Sequence, residues 1–128
     1  MFHRTSDQEV IKVSDGDNCY LAFAEYAMAN PQNCLPKLNV VHRSDQWAVT
    51  HIEHLIPLDA ANATKLKHWW REIITAWRTS SPLPCPKDWS QVANDLRQIA
   101  IDRGCSFDMK EVNAMQRGYT VVFTDPLN

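Results

Sequence analysis

Three observations predict an α+β fold. Short β-branched runs stand near both ends of the chain, and segments with helical periodicity occupy most of its second half. The order strand, helix, hairpin, connector, helix, helix, hairpin also keeps antiparallel strands and helices in separate blocks. The 128 residues are 45% hydrophobic and 22% charged with a formal net charge of −2, which describes one domain over 1–128. Its first part, 1–58, holds the strand, helix and hairpin, and its second, 59–128, holds two helices and a closing hairpin. A chain of this length buries enough surface to fold without a metal or disulfide staple.

Each element has its own signal. Glu9–Val13 is a β-branched run interrupted by Lys12 and followed by a turn at Ser14-Asp15-Gly16-Asp17, so Lys12 points inward or into a cleft. From Asn18 to Ala29, Tyr20, Phe23, Ala24, Ala27 and Met28 share a helical face, Asp17 or Asn18 caps the first turn, and Asn30-Pro31 ends the helix. Lys37–Arg43 and Trp47–Ile52, separated by Ser44-Asp45-Gln46, suit a hairpin, after which Pro57 breaks regular pairing. A helix from about Asn62 to Arg78 repeats Leu66, Trp69, Trp70, Ile73, Ile74 and Trp77 at helical spacing. Beyond the stiff linker Ser80–Pro86, Asp88 and Gln91 form a capping box. The helix they open presents Trp89, Val92, Ala93, Leu96, Ile99 and Ala100 and stops at Gly104. Short strands at Ala114–Gln116 and Tyr119–Thr124 then pair about Arg117-Gly118.

The composition excludes several classes. A pI near 6.2 gives no global field for nucleic acid, and no direct nucleic-acid contact is expected. No apolar run approaches the roughly 18 residues of a membrane span, and Met1–Asp7 lacks the apolar core of a signal peptide, so a cytoplasmic protein without membrane contact is expected. Cys19, Cys34, Cys85 and Cys105 are spaced too widely for a C-x-x-C site and read as reduced, buried structural thiols.

The polar residues near the carboxyl end suggest chemistry. Asp108, Asn113 five residues later, and Asp125 beyond the hairpin are the kinds of group that phosphoryl transfer requires. One carboxylate orients the attacking hydroxyl, while an amide oxygen and a second carboxylate hold magnesium. Lys110 would lie near the transferred phosphate. Lys12 would contact the α and β phosphates from across a cleft if held by a carboxylate of the following helix, where Glu25 is the candidate.

These residues carry a resemblance. Asp108-Met109-Lys110-Glu111-Val112-Asn113 resembles the protein-kinase catalytic loop, and Asp125-Pro126-Leu127 sits where the metal-binding aspartate follows it. Val10-Ile11-Lys12 is similar to the strand bearing the phosphate lysine, and Ile52-Glu53-His54-Leu55 to the strand end and hinge whose backbone meets adenine. More narrowly, Val10–Val13, Tyr20–Phe23, Ser106–Met109 and Thr124–Pro126 resemble the early serine/threonine protein kinases of short-tailed coliphages, a family of host-takeover proteins.

The resemblance implies a reduced protein-kinase-like domain of phage or prophage origin, lying in the bacterial host cell with a bacterial host protein as partner. Asp108 and Lys110 would be catalytic, Lys12, Glu25, Glu53 and Leu55 would hold ATP, and Asn113 and Asp125 would hold Mg2+. The chain departs from that family in having only eleven residues, none of them glycine, before Lys12, and three after Asp125. A Gly-rich lid and a lower lobe are therefore expected to be missing, and Val112 replaces a glycine of the phage family's loop. The first functional expectation is a pseudokinase-like binder that inhibits or modulates a host protein, and the rival is a minimal ATP- and Mg2+-dependent serine/threonine kinase.

Plainer readings stand beside these. Asp108, Asn113 and Asp125 are ordinary turn and strand-end residues. Lys12 is an edge residue facing water, and Glu25 is a solvated helix residue. His51 and His54 fall on opposite strand faces and make no metal pair. Trp69, Trp70 and Trp77 are either core or, where chain is lacking to cover them, anchors for a partner protein or a homodimer contact. Lys65, Lys67, His68 and Arg71 form a solvated flank of the same helix.

Overall fold

A computed structural model of the chain describes residues 2–4, 9–15, 18–44 and 47–128. Its elements are β1 (Phe2–Arg4), β2 (Glu9–Asp15), α1 (Asn18–Ala29), β3 (Leu38–Arg43), β4 (Trp47–Glu53), α2 (Ala60–Thr79), α3 (Lys87–Arg103), a 3-10 turn (Glu111–Asn113), β5 (Ala114–Arg117) and β6 (Thr120–Phe123). The chain is thus α+β, with a sheet of order β1-β2-β4-β3 and a separate β5-β6 hairpin, antiparallel throughout. The turn residues Gly16, Asp17, Asp45 and Gln46, and with them the expected cap Asp17, lie outside the described residues.

β1 was not legible in the sequence, and its presence changes the place of Lys12. With β1 on one side and β4 on the other, β2 is an interior strand, and Lys12 pairs in register with Thr50. Lys12 is 7% exposed, so the water-facing alternative does not hold.

Helix α1 buries Tyr20, Leu21, Ala22, Phe23, Ala24 and Ala27, whereas Met28, expected on that face, is exposed. Helix α2 begins two residues earlier than expected because Asp59 caps it, its Oδ1 accepting the Asn62 N–H at 2.8 Å. Helix α3 corrects the expected capping box. It starts at Lys87 behind Pro86, with no side-chain cap; Asp88 falls inside the first turn, where its charge suits the helix dipole, and Gln91 donates to Asp95 instead. Gly104 ends α3 at φ 67°, the left-handed conformation a C-terminal glycine supplies.

The core forms where α2, α3 and the hairpin meet. Trp69 packs edge-on against Trp89 at 5.5 Å and near Phe123 at 5.7 Å, and its indole N–H donates to the buried Ser90 hydroxyl at 3.0 Å. Trp69 is 2% exposed and therefore a core residue rather than an anchor offered to a partner. Trp70 and Trp77 are half-buried against Phe107 at 5.7 and 6.2 Å, and Trp77 donates to Asn94 at 2.7 Å, so their polar and apolar needs are largely met within the chain. Helix α1 joins this core through the Tyr26 hydroxyl, which donates to Asp95 at 2.6 Å. Burial first, and then the Asp95 carboxylate, raise the Tyr26 phenol above its ordinary range.

The cysteines also correct an expectation. Cys19, at the start of α1, is disulfide-bonded to Cys105, just beyond α3, across 86 residues. Cys34 is free and buried, its thiol pushed up to about 12 by desolvation and then by Asp88, while Cys85 is free and exposed. Sequence spacing excluded C-x-x-C motifs but could not exclude a pair that only folding brings together. A disulfide is ordinarily the chemistry of an oxidising compartment or a redox-cycled pair, so cysteine usage no longer supports the cytoplasm. Among the described residues no helix is long and apolar enough to cross a membrane.

Candidate functional site

The carboxyl-terminal residues are gathered by backbone bonds. Ser106 and Asn128 exchange N–H···O bonds of 2.7 and 2.9 Å, and the Asp108 N–H donates to the Pro126 carbonyl at 2.9 Å. This antiparallel pairing, with Phe107 opposite Leu127, sets the Asp108 segment alongside the segment that follows Asp125. The Asn113 carbonyl accepts from the N–H groups of Thr124 and Asp125 at 3.0 and 3.4 Å, and the Asn113 amide donates to the Asp108 carbonyl at 3.2 Å. Asp108, Asn113 and Asp125 therefore form one hydrogen-bonded cluster despite their separation in the sequence.

Lys12 meets this cluster from the sheet. Its Nζ lies 3.9 Å from Asp125 Oδ1 and 3.2 Å from the centre of the Tyr20 ring. Tyr20 is fully buried on α1, so the ammonium is held over an aromatic face and directed at a carboxylate. Lysine is long enough to do this from an interior strand only because the hairpin comes up against the sheet.

A cleft of about 420 Å³ opens beside this contact, lined by Val10, Ile52, Glu53, His54, Leu55, Val112, Asn113, Met115, Thr124 and Asp125. The lining mixes apolar side chains with polar ones, Asn113, Thr124 and Asp125 among the latter. The hinge-like residues Glu53 and Leu55 and the expected metal ligands Asn113 and Asp125 thus share one cavity. Asp108 and Lys110 do not line it: the Asp108 carboxylate accepts the Lys110 N–H at 2.8 Å, closing a local turn, and Lys110 is exposed. Glu25 lies elsewhere, lining a groove with Asn18, Cys19, Leu21, Ala22, Arg103 and Cys105, whereas the described partners of Lys12 are Asp125 and Tyr20.

The donor set suits a hard cation. Asn113 and Asp125 offer an amide and carboxylate oxygens, the ligand type magnesium takes, and magnesium usually draws its remaining ligands from phosphates and water. Among the described residues there is no group of three or more His, Cys, Asp or Glu side chains that could hold a metal ion.

Two residues that organise the site escaped the sequence reading. Gln116, expected only as a strand residue, is 4% exposed; its side-chain oxygen accepts from the Asp59 N–H at 2.9 Å and the Asn62 amide at 3.0 Å, and its amide donates to the Gly118 carbonyl at 2.7 Å. It ties the start of α2 to the hairpin. Arg117, expected as a turn residue, forms a bidentate pair with Glu53, its Nε donating to Oε2 at 2.9 Å and its Nη2 to Oε1. Burial alone would raise the Glu53 carboxyl, but the Arg117 guanidinium and the Lys37 N–H outweigh it and hold the carboxyl below its ordinary value. Arg117 is raised in return. An interior-facing Glu at a strand end and an Arg at a turn are a weak signal, because no spacing rule pairs residues 64 apart.

Comparison with family models, with curated proteins and with solved structures returns no match for this chain.

Proposed function

We propose that the chain is a kinase-like domain that binds ATP with Mg2+ in the cleft beside Lys12 and transfers phosphate to serine or threonine of a bacterial host protein. The observation that carries this reading is that Asn113 and Asp125 line one cleft together with the apolar Val10, Ile52, Leu55 and Met115, while Lys12 lies 3.9 Å from Asp125. A nucleotide has a group for each kind of lining, a flat base joined to a charged phosphate chain.

In this reading Val10, Ile52, Leu55 and Met115 enclose the base, and the backbone of His54-Leu55 lies at its edge. Lys12 neutralises phosphate oxygens, with Tyr20 restricting where its ammonium goes. Asn113 and Asp125 hold Mg2+, which when bound neutralises charge on the phosphates. Asp108, whose carboxylate accepts the Lys110 N–H at 2.8 Å and does not line the cleft, takes the role of orienting the acceptor hydroxyl from the resemblance alone. The host target follows from the phage-kinase resemblance alone.

Calorimetric titration with ATP and Mg2+ tests the site. Binding is expected for the wild type and is expected to be lost in Lys12→Ala and Asp125→Asn; silence at millimolar nucleotide overturns the reading. Radiolabelled phosphate transfer in bacterial lysate is expected to vanish in Asp108→Ala while nucleotide binding persists.

A second reading, a host-protein binder without catalysis, is favoured by one observation: the groups needed for phosphate and metal are already engaged with each other, Lys12 with Asp125. Under it, Asp125→Ala leaves both the biological effect and a stoichiometric host partner intact. Loss of the effect in a folded Asp125→Ala protein sinks it.

A further inference from the structure

We propose that Arg117, acting through Glu53, is a positioning residue that sets the opening of the cleft, an inference about regulation of the site that rests on the nucleotide reading above. Arg117 ends β5, the strand that follows Asn113 and pairs with the strand leading to Asp125. Glu53 ends β4, which is hydrogen-bonded along its length to the strand bearing Lys12. The two ends of this pair therefore belong to the two walls that hold the polar groups of the site.

The contacts are those of a clamp. Besides its two bonds to Glu53, the guanidinium donates to the Asn33 carbonyl at 3.2 Å and the Leu35 carbonyl at 3.3 Å. Glu53 Oε1 also accepts the Lys37 N–H at 2.9 Å. One side chain thus gathers the end of the sheet, the loop after α1 and the hairpin. Its side chain and that of Glu53 are 31% and 17% exposed, so water screens the pair only in part.

Other described ties between the two walls are backbone bonds, Ile56 with Gln116 at 3.0 and 2.8 Å and the Phe123 N–H to the Cys34 carbonyl at 2.9 Å, and the longer Lys12–Asp125 ion pair at 3.9 Å. Arg117 adds a bidentate side-chain tie of hydrogen-bond length between the ends of β4 and β5. The separation of Lys12 and Asp125, on which phosphate and metal binding both depend, then follows from the state of the Glu53–Arg117 pair.

The test reads the cleft directly. Lys12 is 7% exposed, so its acylation by an amine-reactive ester, measured by mass spectrometry against exposed Lys65, reports opening. Arg117→Ala is expected to accelerate Lys12 labelling about tenfold, and Arg117→Lys, which keeps the charge but loses the bidentate geometry, about threefold. Tyr26→Phe, which loosens the α1–α3 contact away from the cleft, is expected to leave it unchanged.

Binding of Mg2+ with a methylanthraniloyl-ATP probe is expected to weaken in the same order. Unchanged Lys12 labelling in both Arg117 variants, or equal acceleration in Tyr26→Phe, overturns the proposal whatever the nucleotide does. If Arg117→Ala fails to fold, Arg117→Lys and Glu53→Gln carry the measurement. Labelling that follows the expected order in a protein that binds no nucleotide upholds the positioning role and removes the nucleotide reading instead.

Discussion

Two of the ties between the halves of the molecule work by opposite means. At the hinge-like side, Glu53 and Arg117 join them through charge and hydrogen bonds. At the far side, Cys19 and Cys105 join them covalently, linking the first turn of α1 to the residue before Ser106. A disulfide acts mainly by limiting the unfolded chain, and so contributes stability with little influence on local geometry. A bidentate ion pair contributes less stability but fixes the relative position of the segments it joins. On this division the disulfide chiefly sustains the folded state, and the ion pair chiefly sets the shape of the cleft.

The largest expected effect is on the covalent side. Closing a loop of 86 residues stabilises by about 4 kcal/mol, so Cys105→Ser, or reduction, should lower the melting temperature by roughly 15 °C. Calorimetry checks this. A loss below about 1 kcal/mol would remove the assigned division of labour. The same variant should leave affinity for Mg2+ and ATP within about twofold, since neither cysteine lines the cleft.

Arg117→Ala should cost about 2–3 kcal/mol by leaving a largely buried carboxylate without its guanidinium, while affecting nucleotide affinity more than Cys105→Ser does. Urea unfolding of both variants, set beside titrations, ranks the two effects. If both properties fall together in both variants, the two fastenings do not differ in kind.

The pH dependence separates them further. The Glu53 carboxyl lies below its ordinary value of 4.5 in the folded state, so the pair stabilises fully above that value and loses its contribution as pH falls through the folded one. Wild type and Cys105→Ser should both show this acid-side loss, and Arg117→Ala should show less of it. Unfolding free energies from about pH 6 to about pH 3 supply the comparison.

The smallest effect expected is a gain. Thr50 is fully buried opposite Lys12, and its hydroxyl has no hydrogen-bond partner among the described residues. Thr50→Val should therefore stabilise by up to about 1 kcal/mol. A loss in thermal denaturation would mean the hydroxyl is engaged.

Much of the fold was readable because its signals are local. The α1 boundaries, the β3-β4 and β5-β6 hairpins and the Gly104 stop all rest on residues within a few positions of one another. The errors arose at long range. Cys19 with Cys105 and Glu53 with Arg117 are 86 and 64 residues apart, and neither residue type announces a partner at such distance. β1 escaped because three residues carry too little pattern, and the α3 cap because Pro86 supplied the start that Asp88 was expected to make.

The sequence by itself determined the class of fold, the helical and strand periods, the apolar faces and the inventory of groups able to handle phosphate. These follow from side-chain period and turn chemistry, which act over one or two turns of chain. The tertiary structure decided between the inward and water-facing readings of Lys12 and between core and anchor for Trp69, and it alone set Lys12 near Asp125 and left Asp108 out of the cleft lining. Such facts depend on how the hairpin docks against the sheet, and docking is the sum of many weak contacts between distant residues that no local rule encodes.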